Sequence, residues 1–115
     1  MKNNTEIKRG DIYYADLGFP CGSKQAGYRP VVIIQNDIGN KKSNTTIVSP
    51  LTSKEKTPLY THVKFIHNNK IQTVLLEQII TINKSDLGEK VGKVDEKTLK
   101  EIDKKIKISL GIHKK

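Results

Sequence analysis

The sequence has few of the residues that most often carry covalent or metal chemistry. Cys21 is its only cysteine, which excludes an internal disulfide and is typical of a reducing compartment. The three histidines are scattered, and neither an HExxH nor a CxxC pattern occurs. His62 and His67 are close enough to meet across a hairpin, but packing is the commoner role for such a pair. We therefore predict no metal site and no cofactor.

Long apolar segments are also missing. The longest uninterrupted aliphatic run is Val31–Ile34, far shorter than the ~20 residues needed to cross a bilayer. The first residues have no apolar stretch behind them, which argues against a signal peptide. These absences predict a soluble, cytoplasmic protein that does not associate with membranes.

Three common catalytic signatures are absent as well. The sequence contains no GxSxG nucleophile elbow and no GxxxxGK[ST] phosphate-binding loop. Two-metal nucleases need several clustered carboxylates, whereas the acidic residues here fall mostly in turns and in the last helical segment. Serine hydrolases, P-loop NTPases and two-metal nucleases are therefore not indicated.

Positive charge, by contrast, is abundant. The formal net charge is +9, and lysine supplies most of the basic residues. A field of this sign attracts polyanions, so we expect a nucleic acid, an anionic membrane face or an acidic protein as the partner. Keeping the surface soluble is the alternative role for these lysines. A length of 115 residues suits one modest core, and we predict a single domain over residues 1–115.

The pattern of apolar residues predicts a mainly β fold. Alternating or β-branched segments predict short strands at residues 11–16, 31–35, 45–49, 62–65, 71–76 and 79–82. Turns are predicted at residues 36–40 and, as a hairpin, at residues 67–70.

Near the end of the chain the period changes to that of a helix. Four apolar residues recur at helical spacing: Leu99, Ile102, Ile106 and Leu110. Asp95 is placed to cap the start of this helix, and Gly111 is placed to end it. Several short strands and one packing helix predict a strongly bent sheet or a partly open β-barrel.

A glycine-rich loop, Leu17–Tyr28, leads to Arg29-Pro30. Because Pro30 restricts Arg29 to extended backbone, the guanidinium is held at a loop–strand junction, where it suits a two-pronged grip on a phosphate. An ordinary surface arginine is the alternative. Thr52, where the next loop begins, either donates its hydroxyl to a phosphate oxygen or serves as a turn residue.

Three aromatic residues, Phe19, Tyr28 and Tyr60, fall in predicted loops. Rings among basic loops stack on single-stranded bases, at ~1–3 kcal/mol per base. The alternative role for each ring is to close one end of the small core.

Short segments along nearly the whole chain resemble the MazF/PemK family of toxin ribonucleases. They are Arg9–Tyr13, Gly22–Pro30, Val32–Asp37, Thr61–Val63, Leu75–Ile79 and Ile108–Gly111, in the expected order. The resemblance implies a small SH3-like β-barrel with a C-terminal helix, usually as a homodimer. It also implies sequence-specific, metal-independent cleavage of single-stranded RNA, often messenger RNA. The implied partner is an acidic, MazE-like antitoxin that competes with RNA for one basic surface.

The same resemblance implies the site residues. The family's arginine before proline matches Arg29 and its loop threonine matches Thr52, which implies catalytic roles for both. In the implied reaction the RNA 2′-hydroxyl attacks the adjacent phosphate, so the protein needs no nucleophile of its own. The RNA-contacting positions are Ser23, Lys24, Gln25, Glu77 and Gln78.

The chain departs from the family pattern at three positions. Many members carry Glu at the position of Lys24, Arg at that of Ile80 and Asp at that of Asn83. These differences leave open which group accepts the 2′ proton. His62 matches a common family histidine, for which we favour a structural role over that of a base.

Two other functions remain open. One is a toxin that poisons a protein without catalysis, as the similarly folded CcdB toxins poison DNA gyrase. The other is an RNA-binding module without activity. The retained Arg29 and Thr52 favour the ribonuclease.

Overall fold

The computed structural model describes residues 6–20, 22, 24–54 and 57–112. The described chain contains seven β-strands, two α-helices and a short 3-10 turn at Lys84–Asp86. In chain order the elements are β1 (Asp11–Asp16), β2 (Tyr28–Ile33), α1 (Asp37–Lys42), β3 (Thr45–Thr52), β4 (His62–His67), β5 (Lys70–Leu75), β6 (Ile80–Asn83), β7 (Leu87–Lys93) and α2 (Glu96–Ser109).

The strands form one antiparallel sheet in the order β4-β5-β3-β2-β1-β7. β3 is long enough to pair with β6 through residues 45–48 and then with β5 through Leu51 and Thr52. Because two different strands follow one another along β3, the sheet curls into a half-barrel. The mainly β fold with a C-terminal helix, predicted from the sequence, is confirmed.

Both faces of the central strands are buried. On one face Ile12, Val32, Leu51 and Val74 pack with Ile102 of α2. On the other face a second cluster is formed by Tyr13, Ala15, Val31, Ile33, Val48 and Ile82. The continuous apolar run in β2 is the consequence, since successive residues enter different clusters.

The ends of α2 agree with the prediction. The Asp95 side chain accepts a hydrogen bond from the Thr98 amide at 2.8 Å, and Gly111 has a φ of 72°. Arg9 joins the helix to the sheet, because its Nε donates to the Ile34 carbonyl at 2.7 Å and its Nη1 lies 2.7 Å from an Asp103 carboxylate oxygen. This contact gives Arg9 a structural role.

The hairpin turn predicted at residues 67–70 is confirmed. Asn68 and Asn69 both have positive φ, at 54° and 65°, as a two-residue turn between twisted strands requires. The strands on either side pair from His67 and Lys70 back to His62 and Leu75.

Two elements differ in kind from the prediction, and two strands differ most in their bounds, because β2 runs from Tyr28 to Ile33 and β3 continues to Thr52. Residues 37–42 form helix α1 instead of turns, because Asn36 caps the Gly39 amide and the buried Asn40 amide bonds to Gln35 and Thr46. Strand β7 was not predicted: its residues are mostly exposed and its pairing with β1 contains register shifts. Its position therefore depends on long-range pairing, which leaves a weak pattern in the local sequence.

Candidate functional site

Strand register places a row of polar side chains across one face of the sheet. Arg29 pairs with Ala15 of β1, and Thr52 pairs with Thr73 of β5. The β2–β3 ladder ends where Val31 pairs with Pro50. Arg29 lies two residues before Val31 and Thr52 two residues after Pro50, so both side chains lie on the same face near that end of the ladder. Lys64 of β4 extends this row by one strand, because it pairs with Thr73 of β5. Directly opposed residues of antiparallel strands share a face, so these side chains line one surface.

Helix α2 covers the other face of the sheet. Leu51 and Val74, the neighbours of Thr52 and Thr73, pack in the cluster that contains Ile102 of α2. Since successive residues of a strand point to opposite faces, the polar row faces away from α2. We call the face that carries Arg29 the open face, because α2 does not cover it. The basic surface of α2 lies on the opposite side of the sheet.

The Arg29 side chain is half-buried and anchored. Its Nε donates a hydrogen bond of 3.0 Å to the Ala26 carbonyl, and its strand neighbour Ala15 is fully buried. None of the carboxylates in the described ranges forms an ion pair with Arg29. The two terminal nitrogens are therefore placed to bind an external anion through two parallel hydrogen bonds.

Thr52 is the last residue of β3 and is only 3% exposed. Its Oγ1 accepts a hydrogen bond from the Lys54 amide at 3.1 Å. Because a hydroxyl also has one proton to donate, this bond orients Oγ1 and leaves the proton for a partner on the open face.

The glycine-rich loop is folded back on itself and attached to a distant turn. The Leu17 amide donates to the Gly27 carbonyl and the Gly27 amide donates to the Gly18 carbonyl, each at 2.8 Å, which extends the β1–β2 hairpin. Further out, the Gln25 amide donates 2.9 Å to Oε1 of Gln78, 53 residues away in sequence. The structure thus brings together two of the predicted RNA-contacting residues.

The structure describes one of the two other predicted contact residues on this loop. Lys24 is exposed, and Ser23, like Cys21, lies outside the described residues.

Glu77, the residue before Gln78, binds the start of β4. Its Oε1 accepts from the Thr61 hydroxyl at 3.0 Å and its Oε2 lies 3.1 Å from His62 Nε2. Nδ1 of His62 faces the Leu59 amide at 3.4 Å, an arrangement that assigns the ring proton to Nε2. His62, with a side chain only 6% exposed, is therefore a hydrogen-bond donor to Glu77 in this structure.

Burial alone would raise the pKa of the Glu77 carboxyl. Hydrogen bonds from its backbone amide, from His62 and from Thr61, together with the nearby His62 ring, outweigh burial and lower the pKa below its ordinary value of 4.5. Glu77 is consequently an ionised acceptor at neutral pH and is poorly suited to hold a proton.

The two other positions that depart from the family pattern lie on β6. Ile80 pairs with Val48 and Asn83 pairs with Thr45, so both face the first half of β3. Ile80 packs against the second apolar cluster. The structure does not bring them to the row that contains Arg29.

The predicted aromatic residues divide between the two faces. Phe19 and Tyr60 are 93% and 84% exposed in their loops, which rules out a role in closing the core. Tyr28 was predicted to lie in a loop, but it is the first residue of β2. Its ring stacks on the ring of Tyr14, with centroids 5.1 Å apart. Being next to Arg29 in a strand, Tyr28 points to the opposite face.

Sequence reasoning missed Thr61, Lys64 and Thr73. The available signal was the alternation of β4, which places His62 and Lys64 on one face. The pairing of Lys64 with Thr73 and the contact of His62 with Glu77 depend on the register of β5. Among the residues the structure describes, no group of three or more His, Cys, Asp or Glu side chains is arranged to hold a metal ion. None of the described helices is long and apolar enough to span a membrane.

Comparison with known sequences identifies relatives of this chain. A family model described as PemK-like, MazF-like toxin of type II toxin–antitoxin system matches residues 8–110. The chain is 46% identical over 112 residues to endoribonuclease MazF of Staphylococcus saprophyticus, an alignment that covers 93% of each chain. It is 42% identical over 111 residues to endoribonuclease EndoA of Bacillus subtilis, covering 92% of this chain and 96% of that protein.

Solved structures share the fold. An endoribonuclease in complex with its cognate antitoxin, from Mycobacterial species, superposes with a TM-score of 0.81 at 25% identity, covering 95% of this chain and 99% of that one. MazF from Deinococcus radiodurans superposes with a TM-score of 0.81 at 19% identity, covering 94% and 99% of the two chains.

Proposed function

The chain belongs to the PemK-like, MazF-like toxin family of type II toxin–antitoxin systems, and from this we propose that it is an endoribonuclease that cleaves single-stranded RNA. The proposal rests on Arg29 and Thr52, which lie on one face of the sheet near the same end of the β2–β3 ladder, in a protein with a net charge of +9. Such a surface attracts RNA, and these two side chains supply donors to one phosphate.

Cleavage proceeds without a metal ion, by attack of the RNA 2′-oxygen on the adjacent phosphorus. The bond from phosphorus to the 5′-oxygen breaks, which leaves a 2′,3′-cyclic phosphate on one fragment and a 5′-hydroxyl on the other. Arg29 stabilises the negative charge that develops on the phosphate, and Thr52 donates to a non-bridging oxygen. The guanidinium is a poor proton donor at neutral pH, so charge stabilisation is its main contribution.

The loop and the turn that flank this pair contact the RNA. Lys24 binds a phosphate, and Gln25 and Gln78 offer amide groups to base edges, as does Ser23 through its hydroxyl. Glu77 borders the same surface. Lys64 is placed to bind a neighbouring phosphate, because it lies on the same face two strands from Thr52. Cleavage at a short sequence motif follows from these contacts.

The proposal includes the partners. An acidic antitoxin binds the same basic surface, to which its negative charge is complementary. The similar Mycobacterial endoribonuclease was solved in complex with its cognate antitoxin, which supports an antitoxin as the partner. The toxin acts as a homodimer in the cytoplasm, where messenger RNA is its target.

The test is cleavage of a defined RNA by the purified protein in EDTA, followed by sequencing of the 5′ ends of the fragments. We expect cleavage at a short motif and its loss when the scissile nucleotide carries a 2′-deoxy sugar. Arg29→Ala should reduce the rate by roughly 10²- to 10³-fold. Lys100→Ala, on the exposed surface of α2, is the matched control and should leave the rate unchanged.

Two outcomes would contradict the proposal. Cleavage of the 2′-deoxy substrate would exclude the mechanism. Growth arrest of cells whose RNA remains intact would instead favour a toxin that poisons a protein.

A further inference from the structure

Arg29 is attached to the loop in front of it, and that loop is attached to the turn after β5. The Arg29 Nε donates to the carbonyl of Ala26, and the amide of the adjacent Gln25 donates to Oε1 of Gln78. Two consecutive loop residues therefore connect the guanidinium on one side with a side-chain amide on the other. The direction of the guanidinium depends on where these two residues are held.

Two glycines of this loop adopt backbone conformations that favour glycine. Gly22 and Gly27 have positive φ, at 62° and 78°, and no atom lies within 4 Å of the position of an added Cβ at either residue. The loop thus bends at glycines in open space. Among the described residues of this loop, Gln25 is joined to a segment outside the β1–β2 hairpin by the hydrogen bond from its amide to Gln78.

Gln78 in turn is on a turn that is fixed at several points. The backbone amide of Gln78 donates to the Leu75 carbonyl at 3.1 Å, and the backbone amide of Leu76 donates to the Thr61 carbonyl at 3.1 Å. The neighbouring Glu77 carboxylate accepts from Thr61 and His62 at the start of β4. The turn that contains Gln78 is therefore held to β5 and to the start of β4 by several hydrogen bonds.

We propose that Gln78, supported by the Glu77–His62 pair, is a positioning residue that holds Arg29 in its productive direction through Gln25 and Ala26. We call Gln25, Ala26, His62, Glu77 and Gln78 the loop tether. The inference rests on the proposed function, in which Arg29 meets the scissile phosphate. It assigns Gln78 a role in the rate of the reaction in addition to its contact with RNA, and it makes Glu77 and His62 part of the support for Arg29.

The first experiment measures the tether without RNA. In the ¹⁵N-labelled full-length protein, hydrogen exchange is followed at the Gln25 amide and at Nε of Arg29. Gln78→Met keeps the size of the side chain but removes the acceptor, and exchange at both sites should become faster by about tenfold or more. Gln78→Glu keeps an acceptor oxygen and should restore slow exchange. Gln72→Met, on β5 and outside the tether, is the matched control.

The second experiment separates positioning from RNA contact. Gln78→Met should lower kcat by about 10- to 100-fold, the range that corresponds to a displacement of a catalytic group by about 1 Å, with little change in KM. Gln78→Glu should recover kcat but raise KM, because it adds negative charge beside a polyanion. A raised KM with unchanged kcat in Gln78→Met would overturn the inference, as would unchanged exchange at Arg29 Nε.

A third measurement tests whether the Glu77–His62 pair acts through the same route. Glu77→Gln should accelerate exchange at Gln25 and at Arg29 Nε, and the Glu77→Gln/Gln78→Met double variant should exchange no faster than Gln78→Met alone. Additive effects would show that the pair does not support Arg29. If the wild type fails to cleave RNA, the proposed function is wrong, and the exchange measurements still decide the tether on their own.

Discussion

At the scale of single residues, the side chains of Arg29 and Thr52 have a feature in common. Each makes a hydrogen bond to the backbone of the described chain and keeps at least one further donor. Arg29 uses Nε for the Ala26 carbonyl, and Thr52 uses a lone pair of Oγ1 for the Lys54 amide. Orientation by one bond reduces the entropy lost when the side chain binds a phosphate. Both side chains are therefore oriented so that their remaining donors can form hydrogen bonds to an anion.

Replacing Thr52 tests its donor directly. Thr52→Val keeps the shape of the side chain and removes the hydroxyl, so we expect the cleavage rate to fall by roughly 10²-fold, the effect of losing one charge-stabilising donor. Thr52→Ser should retain most of the rate. Rates are measured under single-turnover conditions, and thermal unfolding shows that all variants are folded. Equal rates for the Val and Ser variants would exclude a role for the hydroxyl.

Glu77 gives a prediction about pH and stability. Because the pKa of its carboxyl is lower in the folded chain than its ordinary value of 4.5, ionised Glu77 stabilises the fold above that pH. The stabilisation is lost as the pH falls through the folded-state pKa. We expect Glu77→Gln to be less stable than the wild type at pH 7 and the difference to shrink at pH 3, as measured by urea unfolding. A constant difference would show that the carboxylate is not responsible.

At the scale of elements, the hairpin of β4 and β5 reaches back to β7. An added Cβ on Gly92 would lie 2.6 Å from Cε1 of His67 at the end of β4, closer than two such atoms can approach. Gly92 also has a φ of 154°, which side chains rarely adopt. A glycine is needed here because the curled sheet brings a ring against the backbone.

We expect Gly92→Ala to destabilise the protein by about 1–3 kcal/mol, the usual cost of overpacking. Adding His67→Ala should recover part of the loss, since it removes the ring that the new methyl group meets. Urea unfolding of the two single variants and the double variant gives the coupling between the sites. Strictly additive losses would mean that the ring and the methyl group do not meet.

At the scale of the whole molecule, two of the basic surfaces contribute to the net charge of +9 from opposite sides of the sheet. One surface contains Arg29, Lys24 and Lys64, and the other is the exposed side of α2, which contains Lys100 and Lys104. Since α2 packs on the face of the sheet opposite to Arg29, RNA bound at the open face does not contact α2.

The two surfaces differ in the salt dependence that they confer on RNA binding. With an uncleavable RNA, log Kd against log salt should have a steep slope, and Lys64→Ala should reduce that slope by about 0.7, the contribution of one phosphate contact on a single strand. Lys104→Ala is the control and should weaken binding only slightly without changing the slope. An equal change of slope in both variants would indicate diffuse charge attraction instead of a defined path.

The local sequence was sufficient wherever a feature depends on neighbouring residues. Strand β1, the Asn68-Asn69 turn and the Asp95 cap were predicted from turn chemistry and spacing, and the structure confirms them. Helix α1 was predicted as turns because its polar sequence has turn character, and its stability depends on Asn40 bonding to Thr46 of the next strand. Strand β7 depends in the same way on β1.

The sequence by itself determined the strand pattern, the positive charge, the fixed Arg29-Pro30 junction and the resemblance that pointed to RNA. Only the tertiary structure decided that Arg29 and Thr52 lie on one face, that Gln25 bonds to Gln78, and that Glu77 bonds to His62. The physical reason is that backbone preferences act within a few residues and net charge acts over the whole surface, so the sequence alone determines both. Contacts between residues 53 positions apart depend instead on the register of several strands at once.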